Sequence, residues 1–434
     1  MLDLKIEGAT VIDGTGTAGG RTDVGIGDDA IVALGDLSRE PAGRTLNASG
    51  KVVTPGFIDV HSHSDWTLWA NRRAESKVRQ GVTTEVVGNC GFSPAPACTE
   101  HLDDLRDFAL ARPRGLDFRW RSMEEYFSAF DAQGIAVNVV HLVGHGALRI
   151  AAMGLAGREP TTGELRHMQE LLAASMEAGA WGFSTGLGYR PGSYATPEEI
   201  VALARVAARH RGFYAGHVRG EGAARLEAVA EAIRVGREAE LPVQLNWGSV
   251  PNALALLDAA VADGIDVMAD ACPYTDDRPA SDNDQIQLTM FQLDESDLRA
   301  ALVHPRVMIA SDGQALAPYG EPSALAHHPR NYGTFPRVLG HYVRDQRLLS
   351  LPQAVHKMTG LPARRLGLRD RGVIREGVKA DLVVLDPRTV ADVAPFDDRP
   401  RYPLGIEHVL VNGRFVIRDG EHTGSLPGTL IRNL

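Results

Sequence analysis

One pattern constrains this chain more than any other. Between about residue 52 and residue 365, apolar runs of strand length alternate with longer segments rich in Ala, Leu, Arg and Glu, whose apolar positions fall three and four apart. The strand-like runs are Gly56–Val60, Thr83–Gly88, Ala136–Val143, Gly182–Ser184, Phe213–Gly216, Val243–Asn246, Val267–Ala271 and Val307–Ser311. Helix-like segments lie between them at Arg72–Gln80, Thr161–Ala178, Pro197–Arg211, Ala223–Ala239, Asn252–Ala262 and Glu295–Leu302. Strands joined by helices pair in parallel through right-handed crossovers, and eight such units specify an α/β fold, a (β/α)8 TIM-like barrel. No G-x-G-x-x-G string follows any of the runs, which argues against an open dinucleotide-binding sheet.

The two ends of the chain have a different texture. Leu4–Ile6, Thr10–Ile12, Val24–Ile26 and Ile31–Leu34 read as short strands separated by turns, and so do Asp381–Leu385, His408–Val411 and Phe415–Ile417, with Asn412-Gly413 as a hairpin turn. Neither end alone has enough strands to bury an apolar face, so the two together predict a small β-sandwich. The expected division is 1–52 and 366–434 for the sandwich and 53–365 for the barrel, which 434 residues accommodate. The formal charge of −10, with no basic block, argues against nucleic acid as a partner. No apolar run reaches the ~18 residues of a membrane span, no leader pattern opens the chain, and three cysteines fit a reducing compartment, so the expected location is cytoplasmic. Self-association is left open.

A barrel carries its chemistry at the carboxyl ends of its strands, and several of the 15 histidines stand there. His61 and His63, two apart at the end of the first strand, share a face and can chelate one metal; two hydrogen-bonded structural histidines are the alternative. Cys90, between Asn89 and Gly91 after the second strand, is a candidate thiolate ligand or simply a small buried residue. After the fifth strand, His217 is a third imidazole and Arg219 a candidate donor to a substrate carboxylate or carbonyl. Asp312 ends an apolar run, where an unpaired carboxylate is expensive to bury; it suits a metal ligand that also serves as general base. His145 reads equally as support for the site or as structure, His141 as buried and satisfied, and Tyr194 and Tyr274 as hydrogen-bond donors at the mouth or as packing tyrosines. Lys77 reads as solvated on its helix, and His327 with His328 as a solvent-facing pair. No strand end carries a lysine, so no carboxylated lysine is expected.

Longer strings then resemble a known family. PGFIDVHSHSD (55–65), QGVTTEVVGNCGFSPAP (80–96), LVGHGALR (142–149), GAWGFSTGLGYRPGSYA (179–195), HPRNYGTFPRVLGHY (328–342), KADLVVLDPRTVAD (379–392) and VLVNGRFVIRDGEHTGSLPGTLIR (409–432) look like the N-acyl-D-amino-acid deacylase (D-aminoacylase) family of the amidohydrolase superfamily. The resemblance implies a barrel with a β-sandwich built from both ends, and zinc. It implies that His61, His63, Cys90, His217 and Asp312 are metal or catalytic residues, Cys90 being able to bridge two metal sites, and that Arg330 holds the substrate carboxylate.

Two departures qualify the resemblance. Where the family reads Ser-His-His-Lys after the sixth strand, this chain reads Asn246-Trp247-Gly248-Ser249, so Trp247 stands at a zinc-ligand position, against the substrate, and Ser249 replaces a cation. Trp cannot ligate zinc. Either one zinc per chain sits at His61, His63 and Asp312, completed by His217 or Cys90, or the metal is weak and the chain a pseudo-enzyme binding a small acylated ligand. The stretch from Asp276 to Gln285 is also short for the family's helical insertion, implying a more open pocket. The expected activity is a zinc-dependent amidohydrolase that cleaves a C–N bond in a small acylated amine or amino-acid-like substrate. A cyclic amide, imide or carbamoyl substrate is the alternative.

Overall fold

A computed structural model describes residues 1–109, 116, 119–220, 224–246, 253–275, 294–321, 328–394 and 400–434. Parallel strands covered on both faces read as unbroken apolar runs, and the strands of the middle region do so because both of their faces are buried. Phe57–Asp59 pairs with Val82–Val87, which pairs in turn with Asn138–His141. A second parallel sheet runs in sequence order through Val143–Gly144, Gly182–Gly186, Phe213–His217, Val243–Leu245, Val267–Ala271 and Val307–Ile309. Asn138–His141 and Val143–Gly144 are consecutive in the chain and separated only by Leu142. At the other edge, the parallel bridge Ser62–Gly313 and the bonds His63 N–H to Gly313 O and Asp312 N–H to His61 O, each 2.8 Å, tie the end of the first strand to the end of the last. The result is a mixed α/β fold.

Helices pack between these strands, and their starts are written in sequence. Thr161 and Glu164 form a reciprocal cap on Thr162–Glu177, while Thr196 caps Pro197–Arg209, whose first residue is proline. The expected helix at Arg72–Gln80 is shorter, Glu75–Val78, because Ala74 takes a left-handed conformation (φ +46°) that an α-helix cannot continue through. Met123–Gln133, capped by Ser122 and Glu125, was not anticipated.

Both chain ends enter one seven-stranded sheet, in the order Glu421–His422, Arg414–Arg418, Ile406–Val411, Leu382–Leu385, Val52–Pro55, Thr10–Val11, Gly20–Arg21. A four-stranded sheet of Ala30–Gly35, Asp23–Gly27, Leu2–Glu7 and Ala42–Asn47 belongs to the amino-terminal end alone. Alternation along the strands explains the larger sheet's composition. Val53, Leu382, Val384 and Leu410 join Leu4, Ile6 and Val24 of the smaller sheet in one apolar cluster, whereas Val52, Val383, Leu385, Val409 and Val411 face the main core. A sheet covered on both faces needs apolar residues facing both ways, hence the unpunctuated LVVL (382–385) and VLV (409–411). Among the described residues, no helix is long and apolar enough to cross a membrane.

Candidate metal centre

Four side chains converge where the first, second and last middle-region strands end. One ligand atom from each of His61, His63, Cys90 and Asp312 lies within 4.8 Å of the others, and all four residues are buried. His61 Nε2 is 3.1 Å from Cys90 Sγ and 3.2 Å from Asp312 Oδ1, and His63 Nε2 is 2.9 Å from the same carboxylate oxygen. Backbone geometry aims them. Gly88 (φ +82°) and Gly91 (φ +79°) turn the chain around Cys90, itself left-handed at φ +53°, and Asp312 is left-handed at φ +49°. For non-glycine residues such conformations cost about 1–3 kcal/mol each, and they persist only where the surroundings over-determine them.

Two imidazoles, a thiol and a carboxylate form a donor set that suits zinc. The electrostatics agree. Burial by itself would depress both histidines, yet Cys90, Asp270 and Asp312 hold His61 well above the ordinary imidazole range, and Asp312 with Cys90 raises His63 to about 9. Burial would raise Cys90 and Asp312, but His61, His217 and His63 hold the thiol well below its ordinary value, and Arg330 with His61 does the same for the carboxylate. Raised imidazoles beside a lowered thiol and a lowered carboxylate mark a cluster whose anionic donors a cation would neutralise.

The predicted residues distribute unevenly around this centre. His217 Nδ1 lies 3.6 Å from Cys90 Sγ and so touches the group from one side. Asn246 Nδ2 lies 3.6 Å from the same sulfur, and its buried Oδ1 has no hydrogen-bond partner among the described residues. Arg330 Nη1 donates to Asp312 Oδ2 at 2.8 Å. Arg219 is engaged elsewhere, by Glu231 at 2.9 Å and by the Ala195 carbonyl. The Tyr274 hydroxyl donates to Asp392 at 2.7 Å, and Tyr194 lies in the short helix Gly192–Tyr194 with its ring beside Gly157. His145 is buried, its Nε2 2.7 Å from Glu199, which also takes Arg149. His141 is buried with Nδ1 at the Leu142 carbonyl. Trp247, Ser249, His327 and the Asp276–Gln285 stretch lie outside the described residues.

Two sequence expectations are corrected. Lys77 is not solvated: its side chain is fully buried, because Asp59 and Ser311 each accept from its Nζ at 2.8 Å. His328 does not face solvent either. It is buried against the Tyr274 ring, and its Nδ1 accepts from the Arg330 amide. One contributor was missed altogether. Asp270 contacts His61 Nδ1 at 3.2 Å and is itself held by Gln244 at 2.9 Å, the carboxylate support that turns Nε2 of a metal-binding imidazole toward the site. Its signal was the one that marked Asp312, a carboxylate inside an apolar strand run.

Residues 44–313 and 296–417 match the model of a family described as the Amidohydrolase family. N-acyl-D-glutamate deacylase of Alcaligenes xylosoxydans xylosoxydans is 40% identical over 99% of this chain and 96% of its own length. The crystal structure of N-acyl-D-glutamate deacylase from Bordetella bronchiseptica, with zinc and a phosphonate mimic of the tetrahedral intermediate, superposes with a TM-score of 0.87 at 37% identity, covering 99% of both chains. A D-aminoacylase structure, described as having a binuclear metal centre with one-metal activation and second-metal attenuation, gives 0.88 at 37% identity over 100% of both.

Proposed function

Since the chain belongs to the amidohydrolase family, we propose that it is a metal-dependent hydrolase of amide C–N bonds, acting on N-acyl-D-amino acids. The observation that carries this reading is the convergence of His61, His63, Cys90 and Asp312 on one buried point. These four would hold one zinc per chain, with His217 beside Cys90. Trp247 at the position of a further imidazole is the reason for one ion rather than two. A zinc ion held there would supply Lewis acidity toward the amide carbonyl and toward a water.

The protein's own groups manage the proton and the substrate. Asp312 Oδ2 is fixed by Arg330 and Oδ1 faces the two imidazoles, so Oδ1 is the atom placed to take a proton from water and return it to the leaving amine. Arg330, with donors beyond the one spent on Asp312, binds an acidic group of the substrate. Arg219, whose Nε and Nη2 are spent on Glu231 and the Ala195 carbonyl, is the second candidate for that contact. Asp270 supports the site through His61, while His145 is held by Glu199 and Tyr274 by Asp392.

The architecture proposed for this chemistry is a closed eight-stranded barrel over 53–365, supported by the Ser62–Gly313 bridge at one seam and by continuity through Leu142 at the other. The ends, 1–52 and 366–434, form a β-sandwich, a reading supported by the apolar cluster shared by the two end sheets. Three free cysteines suit a cytoplasmic setting.

Asp312→Asn tests the mechanism. It should lower kcat on N-acetyl-D-glutamate by at least about 100-fold while the variant still binds the substrate, measured by calorimetry. Unchanged turnover would remove Asp312 from the reaction.

A further inference from the structure

Directly beneath the four donors lies a second polar cluster that the proposed chemistry does not use. Its centre is Lys77, on the helix Glu75–Val78, all four of whose residues are buried. Lys77 Nζ donates to Asp59 Oδ2 and to Ser311 Oγ and lies 4.0 Å from Glu85 Oε2. Each of these partners leads to a metal donor. Asp59 Oδ1 accepts the backbone N–H of Ser311 at 3.0 Å and faces that of His61 at 3.4 Å. Ser311 precedes Asp312 and its Oγ accepts the N–H of Gly313 at 2.9 Å. Glu85 Oε2 accepts from Ser62 Oγ at 2.9 Å, and Ser62 stands between the two metal-facing histidines. The same helix is stitched to the chain beyond Asp312, since Ser76 Oγ donates to Gln314 O at 3.1 Å and accepts the Leu316 N–H at 2.9 Å.

Stability alone does not explain a lysine there. Burying a cation among carboxylates forfeits several kcal/mol of hydration per ion, and apolar replacements of buried ion pairs are often as stable or more so. What the pair supplies is placement: one buried cation ties together the strand end that carries His61 and His63, the strand that leads to Cys90, and the strand end that carries Asp312. We infer that Lys77, through Asp59 and Ser311, is a positioning residue for the metal donors, fixing the two strand ends at the separation one divalent cation requires. This inference rests on the proposed zinc site.

Zinc affinity provides the test, measured by competition with a chromophoric chelator on protein shown to be folded by near-ultraviolet circular dichroism. Lys77→Met should bind zinc roughly 10–100-fold more weakly than wild type, the range seen when outer partners of metal ligands are removed. Ser311→Ala, which deletes the hydroxyl between Lys77 and Asp59 at lower risk to folding, should weaken zinc in the same direction and decides the matter if Lys77→Met does not fold. Arg371→Met is the control. It breaks another buried ion pair, Arg371 with Asp381 at 2.6 Å, where Asp381 binds Asn138 at the opposite end of the parallel strands. It should lower the melting temperature and leave zinc affinity unchanged. The inference is overturned if folded Lys77→Met and Ser311→Ala hold zinc as tightly as wild type, or if Arg371→Met weakens it equally. Wild-type protein that binds no zinc would overturn the metal site itself and this inference with it.

Discussion

Individual residues at this centre matter through the company they keep. Cys90 and Asp312 accept strained backbone, and His61 accepts full burial, because each faces a partner of opposite character. His141 shows the contrast. It is buried among Tyr126 and Phe127, its nearest carboxylate is Asp65 at 3.9 Å, and burial drives its pKa down to about 4. The folded protein therefore keeps His141 neutral between pH 4 and 6.5 while the unfolded chain protonates it, so stability falls as pH drops through that window. For one group this amounts to about 3 kcal/mol. Urea unfolding at pH 6.5 and pH 4 should show His141→Phe losing less stability than wild type by about that amount; equal losses would mean that His141 titrates normally.

At the scale of elements, the strands were legible and their supports were not. Parallel strands buried on both faces announce themselves as apolar runs, and asking what stands at their ends leads to His61, His63, Cys90 and Asp312, which converge, and to His217, which contacts Cys90. Lys77 and Asp270 escaped because their burial depends on partners distant in sequence, Ser311 for one and His61 for the other. A lysine at helical spacing reads as solvated until the carboxylate that pairs it is located. The turn carrying Cys90 was legible as glycine-rich but not as geometrically obligatory. A Cβ on Gly88 would lie 2.1 Å from the Leu142 carbonyl oxygen, at a φ of +82°. Gly88→Ala should therefore displace the turn, destabilising the protein by at least about 1–3 kcal/mol and lowering bound zinc per chain measured by atomic emission. Full zinc occupancy at unchanged stability would show the turn to be compliant.

Over the whole molecule, the two chain ends clamp the middle. The last residues run along the foot of the parallel strands, with backbone bonds from Gly428 to Ile135, from Val139 to Thr429, from Ile431 to Val139 and from Asn433 to Gly179, and with Trp181 Nε1 on the Ile431 carbonyl. At about 1 kcal/mol each, these bonds are a sizeable part of a domain's net stability. Removing residues 425–434 should lower the melting temperature by several degrees yet leave zinc affinity at 10 °C intact, because His61, His63, Cys90 and Asp312 lie at the opposite ends of the strands. Loss of zinc binding by the folded truncation would show that foot and mouth are coupled. The account as a whole, one zinc in a pocket that hydrolyses N-acyl-D-amino acids, is tested most directly by amino-acid release from N-acetyl-D- and N-acetyl-L-amino acids, before and after chelation. Protein carrying about one zinc per chain is predicted to release the D-amino acid, to lose that activity on chelation and to recover it with added zinc. Zinc-loaded protein that leaves every N-acetyl-D-amino acid intact would contradict the account.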